Sequence, residues 1–179
     1  MNRDTGPRAS RLAGSCEAGA SRSVVTVRVQ HEPFDARAET AALTAGRTDI
    51  GAVVTFTGLC RDEGGALAAL EIEHYPGMAE DEIRRVAREA CARWPLQGLA
   101  ALHRHGRIAP GEPIVLVVAA SAHRGDAFAA AEFLIDYLKT RAPFWKKEHR
   151  LDASGAWVEA KGTDETAAER WRTDVSSGR

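Results

Sequence analysis

The stretch that decides the fold is residues 99–120, LAALHRHGRIAPGEPIVLVVAA. Two of its runs are typical of β-strands, Leu99–Arg107 and Ile114–Ala120, and they are joined around Pro110-Gly111. A connection this short leaves no room for the helical crossover that parallel neighbours need. The stretch therefore predicts two antiparallel strands that pair with each other.

A helix is predicted on each side of this hairpin. Before it, Met78–Trp94 carries apolar residues at three- and four-residue spacings, and Pro95 helps to end the helix. After it, a second helix runs from about His123 to Pro143. The predicted buried stripes are Ile83, Val86, Ala87, Ala90, Cys91 and Trp94 in the first helix, and Ala127, Ala131, Leu134, Ile135 and Leu138 in the second.

Further towards the N terminus, strands surround one short helix. Asp35 is the predicted N-cap of this helix and Gly46 its end. Gly64-Gly65 predicts a tight turn between the second and third strands, which together look like a β-hairpin. The strands predicted in this part of the chain are Val24–Val29, Ala52–Thr57 and Leu70–His74.

The C-terminal part is predicted to add a short strand at Trp157–Glu159 and a polar helix over Asp164–Arg172. Across the whole chain, hairpins replace the strict alternation of strand and helix that a parallel sheet needs. The pattern therefore favours an α+β fold, with helices packed on an antiparallel sheet.

Length and composition suit a single domain with tails. With 179 residues, 44% of them hydrophobic, and a net charge of −1, the chain is neither wholly disordered nor a basic protein that coats nucleic acid. We expect one domain over residues 23–172, a disordered tail over residues 1–22 and a flexible tail over residues 173–179. No apolar run approaches the roughly 20 residues that span a membrane.

Cysteine usage points to the cytoplasm. Cys16, Cys60 and Cys91 are odd in number and widely spaced, without a CxxC pair. They therefore indicate neither a disulfide framework nor a zinc site. The common nucleotide, zinc-protease and serine-hydrolase motifs are missing from the sequence as well. We expect no metal and no bound cofactor.

The lysines are the most informative residues, because 20 of the 24 basic residues are arginine. Three of the four lysines, Lys139, Lys146 and Lys147, fall within nine positions of each other. Lysine can release its proton when other cations crowd it, whereas arginine cannot. The cluster therefore suggests a titratable amine suited to proton transfer, and a solvated basic face is the alternative.

Two other segments offer cations at the ends of predicted elements. His123 and Arg124 lie where the second long helix begins, a position that favours anions. Arg61 follows the second strand, and Cys60 beside it is either a reactive thiolate or an ordinary strand cysteine. The residues alone thus predict a cationic pocket for a phosphate or a carboxylate.

The chain resembles the catalytic (large) subunit family of molybdopterin synthase, the MoaE-like proteins, from about Val27 to Trp171. The longest matching segment is Tyr137–Glu148, YLKTRAPFWKKE. The other matching segments, in the family's order, are Ala52–Gly58, Glu73–Met78, His103–Gly106 and Ser121–Arg124.

This resemblance implies a fold, a reaction and partners. The family fold is α+β with a hammerhead-like arrangement of strands and helices. Its members transfer sulfur to cyclic pyranopterin monophosphate and so form the dithiolene of molybdopterin. The sulfur comes from a thiocarboxylate on the C-terminal Gly-Gly of a small ubiquitin-like subunit. Two large subunits form a central dimer with one small subunit at each end, a heterotetramer.

The resemblance also implies roles for individual residues. Lys139 matches the family's general acid/base or attack-assisting amine, and Lys146 matches its second catalytic lysine. His123 and Arg124 match positions that bind the phosphate region of the pterin, and these positions reach across the dimer interface. The remaining matches to the substrate-binding region are Leu59, Cys60, Arg61, Lys147 and Glu148.

One departure and one rival interpretation accompany these expectations. The family loop after the arginine is longer and carries Asn, whereas here Arg61 leads into Gly64-Gly65 within three residues. The rival interpretation is a module that binds the ubiquitin-like partner without catalysis. Because a groove for a peptide tail has no need of titratable amines, the presence of both Lys139 and Lys146 favours the enzyme.

Overall fold

A computed structural model describes residues 13–16, 23–62, 64–152, 155–157, 169 and 171. These residues form two sheets and three helices. In chain order the elements are β1 (Ala13–Cys16), β2 (Ser23–Gln30), α1 (Ala36–Thr44), β3 (Ala52–Leu59), β4 (Leu67–His74), α2 (Met78–Arg93), β5 (Leu96–Arg104), β6 (Gly106–Ile108), β7 (Pro113–Ser121), α3 (Arg124–Thr140), β8 (Phe144–Arg150) and β9 (Gly155–Trp157).

The larger sheet has five strands in the order β1-β2-β5-β7-β3. Strands β5 and β7 pair antiparallel, as the opening stretch predicted, and β3 extends the sheet antiparallel to β7. One pair departs from the expected antiparallel arrangement, because β2 and β5 are parallel. The long segment between them, which includes two helices, allows this crossover.

The second sheet has four strands in the order β6-β4-β8-β9, and all of its pairs are antiparallel. It corrects the prediction of one strand over Leu99–Arg107. Strand β5 ends at Arg104, and Gly106, whose φ of +81° is unfavourable for other residues, begins β6 in the other sheet. One stretch that was predicted as a single strand thus contributes a strand to each sheet.

The predicted hairpin of β3 and β4 was also wrong. The Gly64 and Gly65 turn exists, with φ values of +97° and +74°, but it joins strands of different sheets. Asp62 Oδ1 accepts hydrogen bonds from the backbone N–H groups of Ala66 and Leu67, both at 3.1 Å. These bonds redirect the chain before β4 begins.

Strands β5 and β7 at the centre of the larger sheet are buried on both faces, which is why they are apolar almost throughout. One face packs against α2 and α3, and the other face packs against α1. A smaller cluster around Cys60, Ile72 and Ile108 links the end of β3 to the second sheet. Among the described residues, no helix is both long and apolar enough to cross a bilayer.

The predictions of the first three helices are confirmed. Asp35 caps α1 by accepting from the N–H groups of Arg37 and Ala38 at 2.9 and 3.1 Å, and Gly46 with φ +70° follows the helix. The two long helices occupy the predicted ranges with the predicted apolar stripes inward. Within residues 1–22, the structure describes only β1, which pairs with β2 and was not expected in a tail. Residues 158 and 159 and most of the predicted last helix lie outside the described residues.

Candidate active site

The two lysines with predicted catalytic roles lie on either side of one tight turn. Lys139 is exposed in the last turn of α3, next to the buried Leu138, and Lys146 is half-buried on β8. The turn between them is held by the carbonyl oxygen of Tyr137, which accepts from the N–H groups of Arg141 and Ala142 at 2.9 and 3.2 Å. The structure therefore brings both lysines to the C-terminal end of α3.

The last turn of α3 is also tied to α2. Tyr137 donates a short hydrogen bond to Glu82, and Arg85 hydrogen-bonds both to Glu82 at 2.9 Å and to the Tyr137 hydroxyl at 3.3 Å. The Arg85 hydrogen bond, reinforced by the one from Tyr137, lowers the pKa of the Glu82 carboxyl, and burial raises the pKa of the Tyr137 hydroxyl. This network orients the turn that carries Lys139.

Strand β8 divides its site candidates between two faces, as alternation in a strand requires. Lys146 and Glu148 share the face of Phe144, which packs on the core of the larger sheet and on the Cys60 cluster. Lys147 lies on the opposite face, with its ammonium 5.8 Å from the centre of the Trp157 ring. Lys146 is therefore the β8 lysine that shares a face with the interior of the site.

The end of β3 reaches the same region. The backbone of Cys60 pairs with the β6–β7 loop, since its N–H donates to Glu112 O at 2.8 Å and its carbonyl accepts from Gly111 N at 2.7 Å. Leu59 and Arg61 on either side are exposed. Glu148 lies near enough to act electrostatically on the Cys60 thiol. The predicted positions on β3 and β8 thus meet at one end of the molecule.

The surroundings of Cys60 disfavour a thiolate. Its side chain is 2% exposed, and burial raises the pKa of its thiol, with Asp62, Glu112 and Glu148 adding to the rise. The sulfur lies 3.9 Å from the backbone oxygen of Ile108. Of the two interpretations left open by the sequence, the structure favours the ordinary core cysteine.

His123 and Arg124 form a separate site at the other end of α3. His123 is the N-cap residue, and both side chains are exposed beside an open cavity of about 470 Å³. Gly51 and Ala52, at the start of β3, line the same cavity. A helix N-terminus with an arginine and a histidine side chain beside it favours an anion such as phosphate.

Within one chain, the two ends do not meet. Helix α3 has 17 residues, so His123 and Lys139 are separated by about 25 Å along its axis. Strand β3 spans the same distance, from Ala52 beside the His123 cavity to Leu59 near β8. The sequence could name these residues, but their separation follows only from the length and packing of α3 and β3.

Sequence reasoning assigned no role to His103, although the HRHG segment was part of the resemblance. The structure places this ring against Phe144, two residues before Lys146, with the ring centres 3.9 Å apart. The sequence does contain a signal that His103 points inward, because in a strand it lies on the same face as the apolar Leu99 and Ala101. Its neighbour on β8 is not detectable from the sequence.

The fold and these cationic segments define a class: small α+β proteins whose candidate site is suited to anionic ligands. Within this class the chain belongs to the MoaE protein family, whose model matches residues 29–141. The resemblance found in the sequence is thereby confirmed.

Individual relatives agree with this assignment. The molybdopterin synthase catalytic subunit of Mesorhizobium japonicum is 71% identical over 149 residues, which are 83% of this chain and 94% of that protein. The structure of the Burkholderia ambifaria MoaE protein is 49% identical with a TM-score of 0.71, over 82% of this chain and 97% of that one. The structure of Staphylococcus aureus molybdopterin synthase is 31% identical with a TM-score of 0.67, over 73% of this chain and 95% of that one. These structures bear out the expected α+β fold.

Proposed function

We propose that this chain is the catalytic subunit of a molybdopterin synthase, a sulfurtransferase of molybdenum cofactor biosynthesis. It transfers sulfur from the C-terminal thiocarboxylate of a small ubiquitin-like subunit to cyclic pyranopterin monophosphate, and the product carries the dithiolene. The observation that carries this proposal is the 71% identity, over 94% of its length, to a protein named as that subunit. The geometry supports it, because substrate phosphate and thiocarboxylate are both anions and the candidate site is cationic.

In this proposal, Lys139 is the acid/base amine and Lys146 holds the phosphate or assists its protonation when the cyclic phosphate opens. Both lysines lie at one end of α3, and the exposed Arg61 follows β3 at the same end. The exposed Leu59 lines the substrate region, the buried Cys60 supports this region from the core, and Glu148 shares the face of Lys146. Lys147 lies on the other face of β8, which suits a contact with the partner tail or the edge of the substrate better than a contact with the reacting atoms.

His123 and Arg124 enter the proposal through a second copy of the chain. Their separation of about 25 Å from Lys139 rules out a shared substrate within one chain. A homodimer that brings the N-terminus of α3 of one copy to the lysines of the other completes the site. This arrangement agrees with the expected heterotetramer, and the cytoplasmic location expected from the cysteines belongs to the same proposal. Neither nucleic acid nor membrane is a partner in it.

The first test is dithiolene formation from cyclic pyranopterin monophosphate and a thiocarboxylated small subunit. We expect product from the wild type and none from Lys139→Ala, with binding of the small subunit retained. Lys139→Arg is expected to be inactive as well, because arginine keeps the charge but does not titrate. Substantial activity of Lys139→Arg contradicts the proton-transfer role. Absence of product from the wild type, with partner binding intact, favours the non-catalytic binding module.

A second test addresses the shared site. Lys139→Ala and Arg124→Ala are each expected to be nearly inactive, and each destroys a different half of the site. When equal amounts are mixed and allowed to exchange subunits, one site in each mixed dimer is intact, so about a quarter of wild-type activity returns. No recovery, with subunit exchange confirmed by mass spectrometry, shows that each chain uses its own His123 and Arg124 region.

A further inference from the structure

His103 is a buried histidine next to the lysine end of the site, and the proposed reaction does not use it. Its side chain is 3% exposed, on the face of β5 that packs against α2 and α3. Nδ1 lies 2.8 Å from the backbone oxygen of Arg104. Because a carbonyl oxygen only accepts hydrogen bonds, Nδ1 carries the proton, and Nε2 of the neutral ring is an acceptor.

The ring is fixed on its flat side as well. It stacks on Phe144 with an interplanar angle of 13° and a centre-to-centre distance of 3.9 Å. Phe144 begins β8, and Lys146 follows two residues later on the same face. Of the charged groups that act on His103, Lys146 has the largest electrostatic effect. The position of the imidazole is therefore coupled to the strand that presents Lys146.

The charge state of His103 suits this location. Burial lowers its pKa to about 3, opposed by the Arg104 hydrogen bond and reinforced by Lys146 from β8, His74 from β4 and His105 from the β5–β6 link. Burial also lowers the pKa of His105, with His74 and His31 adding to this effect and Glu32 and Glu80 opposing it. A neutral His103 does not repel the ammonium of Lys146, whereas an arginine, lysine or charged histidine at this position would.

We propose that His103 is a positioning residue for Lys146: its neutral imidazole, held by the Arg104 carbonyl and stacked on Phe144, sets the position and the electrostatic surroundings of the Lys146 amine. This inference rests on the proposed function only for its effect on turnover. The structural part, a coupling between the imidazole and one particular lysine, holds for any reaction at this site.

The experiment uses the rarity of lysine in this chain. Reductive methylation of the full-length protein with ¹³C-formaldehyde labels four lysines, Lys139, Lys146, Lys147 and Lys161, and the N-terminal amine. Each gives a separate NMR signal that is assigned with Lys→Arg variants. His103→Phe keeps a ring against Phe144 but removes both nitrogens. We expect the titration midpoint of the Lys146 signal to fall by about half a unit or more, while the Lys139 and Lys147 midpoints stay in place.

The matched control is Leu102→Ala. Leu102 precedes His103 on β5, is 1% exposed and packs on the opposite face of the sheet, so its truncation lowers stability without touching Phe144. On unmethylated protein with the small subunit, we expect His103→Phe to lower kcat about tenfold or more with little change in KM. Leu102→Ala should leave kcat nearly unchanged at temperatures where it is folded.

His103→Asn separates the two contacts, because its amide N–H can still donate to the Arg104 carbonyl while the stacked ring is lost. Partial recovery of kcat and of the Lys146 midpoint relative to His103→Ala supports positioning.

Wild-type protein gives a test that needs no variant. Long-range ¹H–¹⁵N spectra should show His103 as the neutral Nδ1–H form from about pH 7 down to about pH 5.

The inference is overturned if the Lys146 midpoint in His103→Phe equals that of the wild type, or if His103 of the wild type titrates near the ordinary histidine range. An unchanged kcat in His103→Phe also overturns it. A wild type that forms no dithiolene contradicts the proposed function instead, and the NMR result then still decides whether His103 and Lys146 are coupled.

Discussion

Gly51→Ala should damage the His123 cavity through a backbone collision. A Cβ atom at Gly51 would lie 2.3 Å from the carbonyl oxygen of Ala122, about 1 Å closer than ordinary van der Waals contact. Neither partner is a flexible side chain. Gly51 is held by a 3.0 Å hydrogen bond from its N–H to Ser121 O, and Ala122 directly precedes the N-cap of α3.

The chain offers a matched control in the same cavity. Gly125 also lines it, but a Cβ there meets no atom within 4 Å, and the residue is the second of α3. Overpacking at Gly51 is expected to cost about 1–3 kcal/mol of unfolding free energy. Gly125→Ala is expected to be neutral or to gain up to about 1 kcal/mol from helix propensity. The two variants should therefore differ by about 1–4 kcal/mol.

Urea unfolding followed by circular dichroism measures this difference, and turnover assays measure its consequence. Because the collision displaces the backbone next to His123, we expect the apparent KM for the pterin substrate to rise more in Gly51→Ala than in Gly125→Ala. Equal unfolding free energies for the two variants would refute the steric reasoning. Equal KM values with unequal stabilities would remove the link between this cavity and the substrate.

The remaining predictions concern stability and reactivity away from the lysines. Ser121→Ala removes a fully buried hydroxyl that donates to a backbone carbonyl at 3.0 Å, and urea unfolding should show a loss of about 1–3 kcal/mol. Glu82→Gln should lower stability at neutral pH by about 1 kcal/mol at most, because solvent screens this half-exposed group, which Arg85 and Tyr137 hold ionised. Because folding lowers the pKa of Glu82, its contribution to stability is fully present above the pKa of the unfolded chain and is lost as the pH falls through the pKa of the folded protein. The unfolding free energies of the variant and the wild type should therefore converge in acid. A difference that persists in acid contradicts the assignment. The buried Cys60, with its raised pKa, should react slowly with iodoacetamide in native protein, and mass spectrometry that finds it labelled as fast as an unfolded control would contradict its burial.

Much of the fold was visible in local sequence patterns. The apolar spacings of Met78–Arg93 and the cap at Asp35 depend on contacts within a few residues of each other, and the structure confirms both. The two strands of residues 99–120 pair as predicted, because a short connection favours a local partner.

The failures share one cause, which is that a strand does not encode its partner. Ala52–Leu59 and Leu67–His74 have good strand patterns and a glycine turn between them, yet they join different sheets. The run through Arg104 and Gly106 looks continuous but divides between the sheets at a positive φ. Pairing depends on hydrogen bonds from distant segments, such as the one from Cys60 to Glu112, and no local pattern reports these.

For function, the residue types alone were sufficient to identify the cationic segments and, through the long Tyr137–Glu148 match, the family. The chemistry resides in side chains, and their identities are read directly from the chain. Folding in three dimensions added the spatial relations among them. The rigid length of α3 separates His123 from Lys139, and the pairing of β8 with β4 turns Lys146 inward and Lys147 outward. The burial of His103 against Phe144 likewise depends on two strands that are 40 residues apart in sequence, because packing free energy is gained only when such distant segments exclude water together.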